Sequence, residues 1–193
     1  MPFAEELADL AVNHHPTRFS GAWYGQAGTL APGVGVIFDK IAYPLFNPST
    51  QRYQIESGLV LILTHECDID QNNVRAMNRG FLVVPLIPLD TFAANFSKEG
   101  LKDDARALAR DIAANKVHRL MFLPPPNQLL RIDNFPLGAF LYFNAITNAD
   151  ISHLAVDGAR PVCALSEIGL QALDARLKNH LFRPKAERLP QTI

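Results

Sequence analysis

Apolar residues along this chain follow two rhythms. Phe3, Leu7, Leu10 and Ala11 recur at helical spacing, which predicts a short amphipathic helix over residues 3–13 that ends before His14, His15 and Pro16. Downstream come short apolar runs bounded by Gly, Pro, Asn and Asp: Val34–Phe38, Leu59–Leu63, Phe81–Ile87, Leu120–Leu123, Leu137–Ala145 and Arg160–Leu165. That punctuation fits strands curled into a barrel or packed sheets, with the first strand expected over 33–40. Pro85 and Pro88 each remove a ladder donor, so the third run is expected to leave the sheet near Pro85. The Asn- and Asp-rich stretch 144–150 reads as turns.

Two helical patterns interrupt the strands. Over 98–115, Leu101, Ala105, Leu108, Ala109 and Ile112 share one stripe, and Ser97 is available as N-cap. After the last apolar run, Ser166 can cap a helix carrying Leu170, Leu173, Leu177 and Leu181, with Pro184 placed to end it. The expected fold class is therefore α+β: an SH3-like or related small antiparallel β-barrel with an inserted helix and a C-terminal helix. The whole of 1–193 reads as one domain, with a lead-in over 1–32, a barrel over 33–165 and a helix with basic tail over 166–193.

Length and composition narrow the classes of function. A chain of 193 residues can bury a substantial core, and two cysteines, Cys67 and Cys163, provide no disulfide framework. No basic stretch followed by an apolar one opens the sequence, and the longest apolar runs are too short to cross a bilayer, so a cytoplasmic, non-membrane protein is expected. A formal net charge of −1 removes the simplest electrostatic case for nucleic acid. A local basic tail remains, with Arg176, Lys178, His180, Arg183, Lys185 and Arg188 set against Glu187, open to phosphate, to an acidic protein or to solvent.

Candidate chemistry concentrates where the run Gly58–Leu63 stops in Thr64, His65, Glu66, Cys67, Asp68, Ile69 and Asp70. If the strand continues through 67, His65 and Cys67 point to one face. If it ends at Thr64, Asp68 and Asp70 belong to an Asp-rich turn. Three chemical readings compete with that structural one. Cys67 beside His65 can act as a nucleophile. His65, Cys67 and Asp68, joined by His118 or Cys163, can hold zinc, and Glu66, Asp68 and Asp70 can hold a hard divalent ion. No cofactor is specified by the sequence. Trp23, Tyr24, Tyr43 and Phe46 read as plugs or a groove lining, His118 as a half-exposed strand end, and His153 as a solvent-facing residue.

The order of these elements resembles the small barrels of the MazF/PemK toxin type, which have an SH3-like core and are bacterial endoribonucleases. Gly33-Val34-Gly35-Val36-Ile37 resembles their glycine-led opening strand, with Val34 where an aspartate is usual. Gly58–Thr64 resembles their apolar strand ending in Ser or Thr, Gly80–Ile87 the following strand, and Arg160–Ser166 with its helix the closing unit. The Arg-Pro that usually introduces the second long strand is Ser57-Gly58 here, and the segment Asp90–Lys116 and the long N-terminus also depart from the pattern.

Taken as ribonuclease residues, His65 would relay a proton, Arg52 or Arg79 would neutralise phosphate and Thr64 would donate a hydrogen bond. Glu66, Asp68 and Asp70 beside them would repel RNA. The leading expectation is accordingly a non-catalytic binding or regulatory barrel acting on a protein or nucleic-acid partner, which the resemblance sets in a bacterial toxin–antitoxin or defence system. Its contacts are expected at Asp68, Asp70, Arg79, Arg176, Lys178 and Arg183. A MazF-like endoribonuclease acting through Thr64, His65, Cys67 and Arg52 is one alternative, and a metal-dependent hydrolase built on 65–70 is the other.

Overall fold

The computed structural model describes residues 2–15, 23–25, 30–70, 80–126, 132–156 and 158–181. Among them the chain forms an α+β structure of seven strands and five helices: α1 (Phe3–His14), β1 (Val36–Asn47), β2 (Arg52–Ile62), α2 (Glu66–Ile69), β3 (Gly80–Pro88), α3 (Leu89–Lys98), α4 (Lys102–Ala113), β4 (Leu120–Leu123), β5 (Ala139–Tyr142), β6 (Thr147–Asp150), β7 (Arg160–Ala164) and α5 (Glu167–Leu181). The strands form one antiparallel sheet in the order β4-β5-β3-β2-β1-β7, with β6 added alongside β3. Among the described residues no ladder joins β4 to β7, so the sheet is open rather than a closed barrel.

The central strands read as continuous apolar runs because the sheet is covered on both faces. Alternation sends Leu59 and Leu61 into a core with Ile37, Val84, Met121, Phe135, Cys163 and Leu173, while Val60 and Ile62 join Phe38, Ile41, Phe81, Val83 and Ile69 on the opposite side. A third cluster joins α1, α3 and α4 to β4 and β5 through Leu7, Phe92, Ala109, Ile112, Phe122 and Phe140. Trp23 and Tyr24 are buried as expected of plugs, and the Tyr24 hydroxyl donates to the Pro124 carbonyl at 2.7 Å.

Several expectations change. Strand β3 does not leave the sheet at Pro85. It pairs Val83–Pro85 with β2 and then, from Leu86, takes β5 as its partner, so the proline marks a change of neighbour. Residues 147–150 are not a turn but strand β6, paired with Gly80–Val83. The inserted helix expected over 98–115 is present as the shorter α4, and a further helix that was not expected, α3, precedes it. Ser97 lies inside α3, and the residue preceding α4 is Leu101, which provides no side-chain cap. Ser166 does cap α5, its hydroxyl accepting from the Gly169 N–H at 3.3 Å. The expected end of α5 at Pro184 lies outside the described residues.

Candidate functional site

The loop carrying Thr64–Asp70 is fixed at three points. Where β2 ends, the Leu63 N–H still donates to Leu82 O at 2.9 Å, and Thr64 Oγ1 then accepts the Leu82 N–H at 2.7 Å, so a side chain extends the ladder by one bond. Ile69 closes the segment by burying its side chain in the core under β1, β2 and β3. Between these anchors Glu66 lies against Gly33, where a Cβ would stand 3.1 Å from Glu66 Oε2, so glycine permits the close approach. His65, Glu66, Cys67, Asp68 and Asp70 are left exposed on a supported turn.

His65 and Cys67 do meet, by a different geometry from that of a shared strand face. The strand stops at Ile62 and residues 66–69 form the single helical turn α2, with His65 in the position before it. His65 Nδ1 and Cys67 Sγ are 3.2 Å apart, and the Asp68 carboxylate lies 3.9 Å from the same sulfur. The first contact permits proton exchange between thiol and imidazole. Among the described residues no three His, Cys, Asp or Glu side chains are grouped to hold a metal ion. Cys163, a possible fourth ligand, is enclosed in the core, where burial pushes its thiol up to about 12.

The remaining candidates disperse. Arg52 and Thr64 sit at opposite ends of β2, separated by about 30 Å of strand at about 3.3 Å per residue, so one chain does not bring them together. Arg176 is not part of an open basic surface. Its side chain is buried, and its guanidinium donates to the carbonyls of Asn115 at 3.2 Å, Val117 at 2.9 Å and Leu120 at 2.7 Å. Lys178 pairs with Asp174 at 2.6 Å along α5, and the His180 ring lies 5.5 Å from that of Phe143. His153 does not face solvent, since its Nδ1 meets Ala42 O at 2.9 Å. Arg79 and Arg183 lie outside the described residues.

A second surface was missed in the sequence. Strands β1 and β2 form a hairpin whose β2 arm is exposed over its outer half: Arg52, Tyr53, Gln54, Ile55, Glu56 and Ser57 are all exposed. The register sets Phe46 opposite Tyr53 and Pro44 opposite Ile55, so these four share one face. Tyr53 and Ile55 are 74% and 73% exposed, and the Phe46 and Tyr53 rings stand 5.4 Å apart. Alternating aromatic and β-branched residues from 53 to 55 were the available signal, obscured because both strands of this half hairpin lie outside the longest apolar runs. No family model, curated protein or solved structure matches this chain.

Proposed function

We propose that this chain is a protein-binding module whose contact element is the outer half of the β1–β2 hairpin. One observation carries the reading: Phe46, Tyr53 and Ile55 lie exposed on one face of the strand pair, whereas Tyr43 and Leu45 on its other face pack against the core. Large apolar groups held together on a regular, exposed strand pair favour association with another protein surface. The loop Thr64–Asp70 stands at the far end of β2 and offers polar contacts of its own.

Kinship with SH3-like folds of the MazF/PemK type belongs to the same proposal. Its support is the sequence of a long opening hairpin, a strand that changes neighbours at a proline, and a closing strand followed at once by a helix. Endoribonuclease chemistry has less support, because Arg52 is far from Thr64 along β2. Metal-dependent hydrolysis has none among the described residues.

A photo-crosslinking residue placed at Tyr53 or Ile55 in living cells tests the binding reading, with the exposed Asp104 on α4 as control. Discrete covalent protein adducts are expected from the hairpin positions and not from the control. Absence of adducts from both hairpin positions would sink the proposal.

A further inference from the structure

The hairpin offers two backbone edges, and they differ. On β1 the outer edge is interrupted at two points. His153 takes the Ala42 carbonyl, and Pro44 has no N–H to give. On β2, pairing with β3 begins only at Val60, and among the described residues no strand lies along Arg52–Ser57 on that side. The edge of β2 therefore carries the open donors and acceptors.

Pro44 also fixes which groups of β2 point outward. A residue without an N–H fits a non-hydrogen-bonded pair, so Pro44 and Ile55 form such a pair and the alternation repeats at Phe46 with Tyr53 and Ala42 with Ser57. The carbonyl of Ala42, turned away from β2 to meet His153, agrees with that assignment. Tyr53, Ile55 and Ser57 thus turn their N–H and C=O groups toward the open edge.

We propose that a second copy of this chain occupies this edge, with β2 pairing antiparallel to β2 across a two-fold axis at Gln54. The inference rests on the binding reading above and names its partner. The segment 52–56 is self-complementary in that register. Arg52 falls opposite Glu56 of the partner subunit, Glu56 opposite Arg52 of the partner subunit, and Tyr53 opposite Ile55 of the partner subunit. Neither Arg52 nor Glu56 has an ion pair among the described residues. Opposite charges and an aromatic–β-branched pair are favourable cross-strand neighbours, and the charged pairs fall at the closer, non-hydrogen-bonded positions. Shifting the centre to residue 53 or 55 loses the Arg–Glu match. A two-fold axis perpendicular to the sheet keeps Phe46, Tyr53 and Ile55 of both copies on one side, which doubles the apolar face.

A charge-swap series followed by sedimentation velocity tests this. The wild-type mass is expected to rise from 21.3 kDa toward twice that value as concentration increases. Arg52→Glu alone and Glu56→Arg alone each place like charges opposite one another twice, and each is expected to weaken the dimer about tenfold or more. The double variant Arg52→Glu/Glu56→Arg restores opposite pairs and is expected to return to the wild-type dimerisation constant. Both substituted positions are exposed, so circular dichroism should be unchanged.

Amide exchange at Tyr53 and Ile55 separates the two readings. Rapid exchange in dilute protein that slows as dimer forms is the expected result. A chain that stays monomeric with rapid exchange at every concentration overturns self-pairing and leaves the binding hairpin intact. Slow exchange in the dilute monomer means the chain covers its own edge, which overturns both. A dimer that the double swap fails to restore also overturns the proposed register.

Discussion

The Arg176 guanidinium on α5 donates to the Leu120 carbonyl at 2.7 Å, tying the last helix to the start of β4. The same group also satisfies the carbonyls of Asn115 and Val117 where the chain leaves α4, and burial lowers its pKa from the ordinary arginine range. No carboxylate pairs with it among the described residues, so three carbonyl dipoles bear the charge. Arg176→Ala leaves those acceptors without their donor and is expected to cost about 2–4 kcal/mol. Arg176→Lys keeps the charge but loses the planar fork, and should fall between the two. Urea denaturation midpoints decide it, and an Arg176→Ala midpoint equal to wild type would refute the anchoring role.

How much of this could be read from the sequence depends on where each signal lies. Leu120–Leu123 was legible because four apolar residues end in three prolines, and Ser166 was legible because a capping residue directly precedes a leucine stripe. Helix α3 was missed although its stop signal is plain. Gly100 adopts φ +74°, its N–H bonds Ser97 O at 3.2 Å, and the Leu101 N–H bonds Phe96 O at 2.9 Å, the paired closure that ends a helix at glycine. The helix expected over 98–115 begins before this stop, whereas α4 begins after it at Lys102.

The candidate site was legible as a location but not as an arrangement. Thr64, His65 and Cys67 sit together because backbone geometry near a strand end is local. Arg52 was grouped with them by proximity in sequence, and the extended run of β2 carries it away. Arg176 read as a tail charge because its partners are carbonyls about 60 residues earlier, and no pattern in side chains reports a backbone acceptor.

Gly169 provides a test in which two effects oppose each other. It lies in α5, where alanine favours a helix over glycine by about 1 kcal/mol. A Cβ there would stand 2.6 Å from the Trp23 carbonyl oxygen and 3.1 Å from Leu165 Cβ. The carbonyl is fixed by accepting the Ser166 N–H at 2.8 Å, so the backbone has little room to yield. Overpacking costs about 1–3 kcal/mol, which outweighs the helix gain. Gly169→Ala is expected to lower the unfolding midpoint, and a rise would show that α5 can shift freely from the Trp23 segment.

Thr64 should act as an anchor. Thr64→Val removes the acceptor of the Leu82 N–H and is expected to cost about 1 kcal/mol, whereas Thr64→Ser should retain most of the stability. Because the same bond holds the base of the His65–Cys67 turn, the valine variant should also change the rate at which Cys67 is alkylated. An unaltered alkylation rate together with unaltered stability would remove Thr64 from the support of the loop.

The two thiols should separate by exposure and then by pH. Cys67 is exposed and Cys163 buried, so iodoacetamide near neutral pH should modify Cys67 alone until the chain unfolds. Burial holds the Cys163 thiol up to about 12 against an ordinary value near 9, pushes the buried Tyr24 hydroxyl well up, and raises Tyr43 with help from the Glu56 carboxylate. Each group is an acid whose folded pKa is raised, so above the ordinary value the unfolded chain has released a proton that the folded chain still holds. Their contribution is present below about pH 9 and is lost as pH rises toward the folded values. The urea midpoint should therefore drop between about pH 8 and about pH 10.5. Cys163→Ala should start lower, because the buried sulfur and its packing contacts are gone, and fall less steeply over the same interval. Equal slopes in the two proteins would mean that the Cys163 thiol is open to solvent and titrates normally in the folded chain.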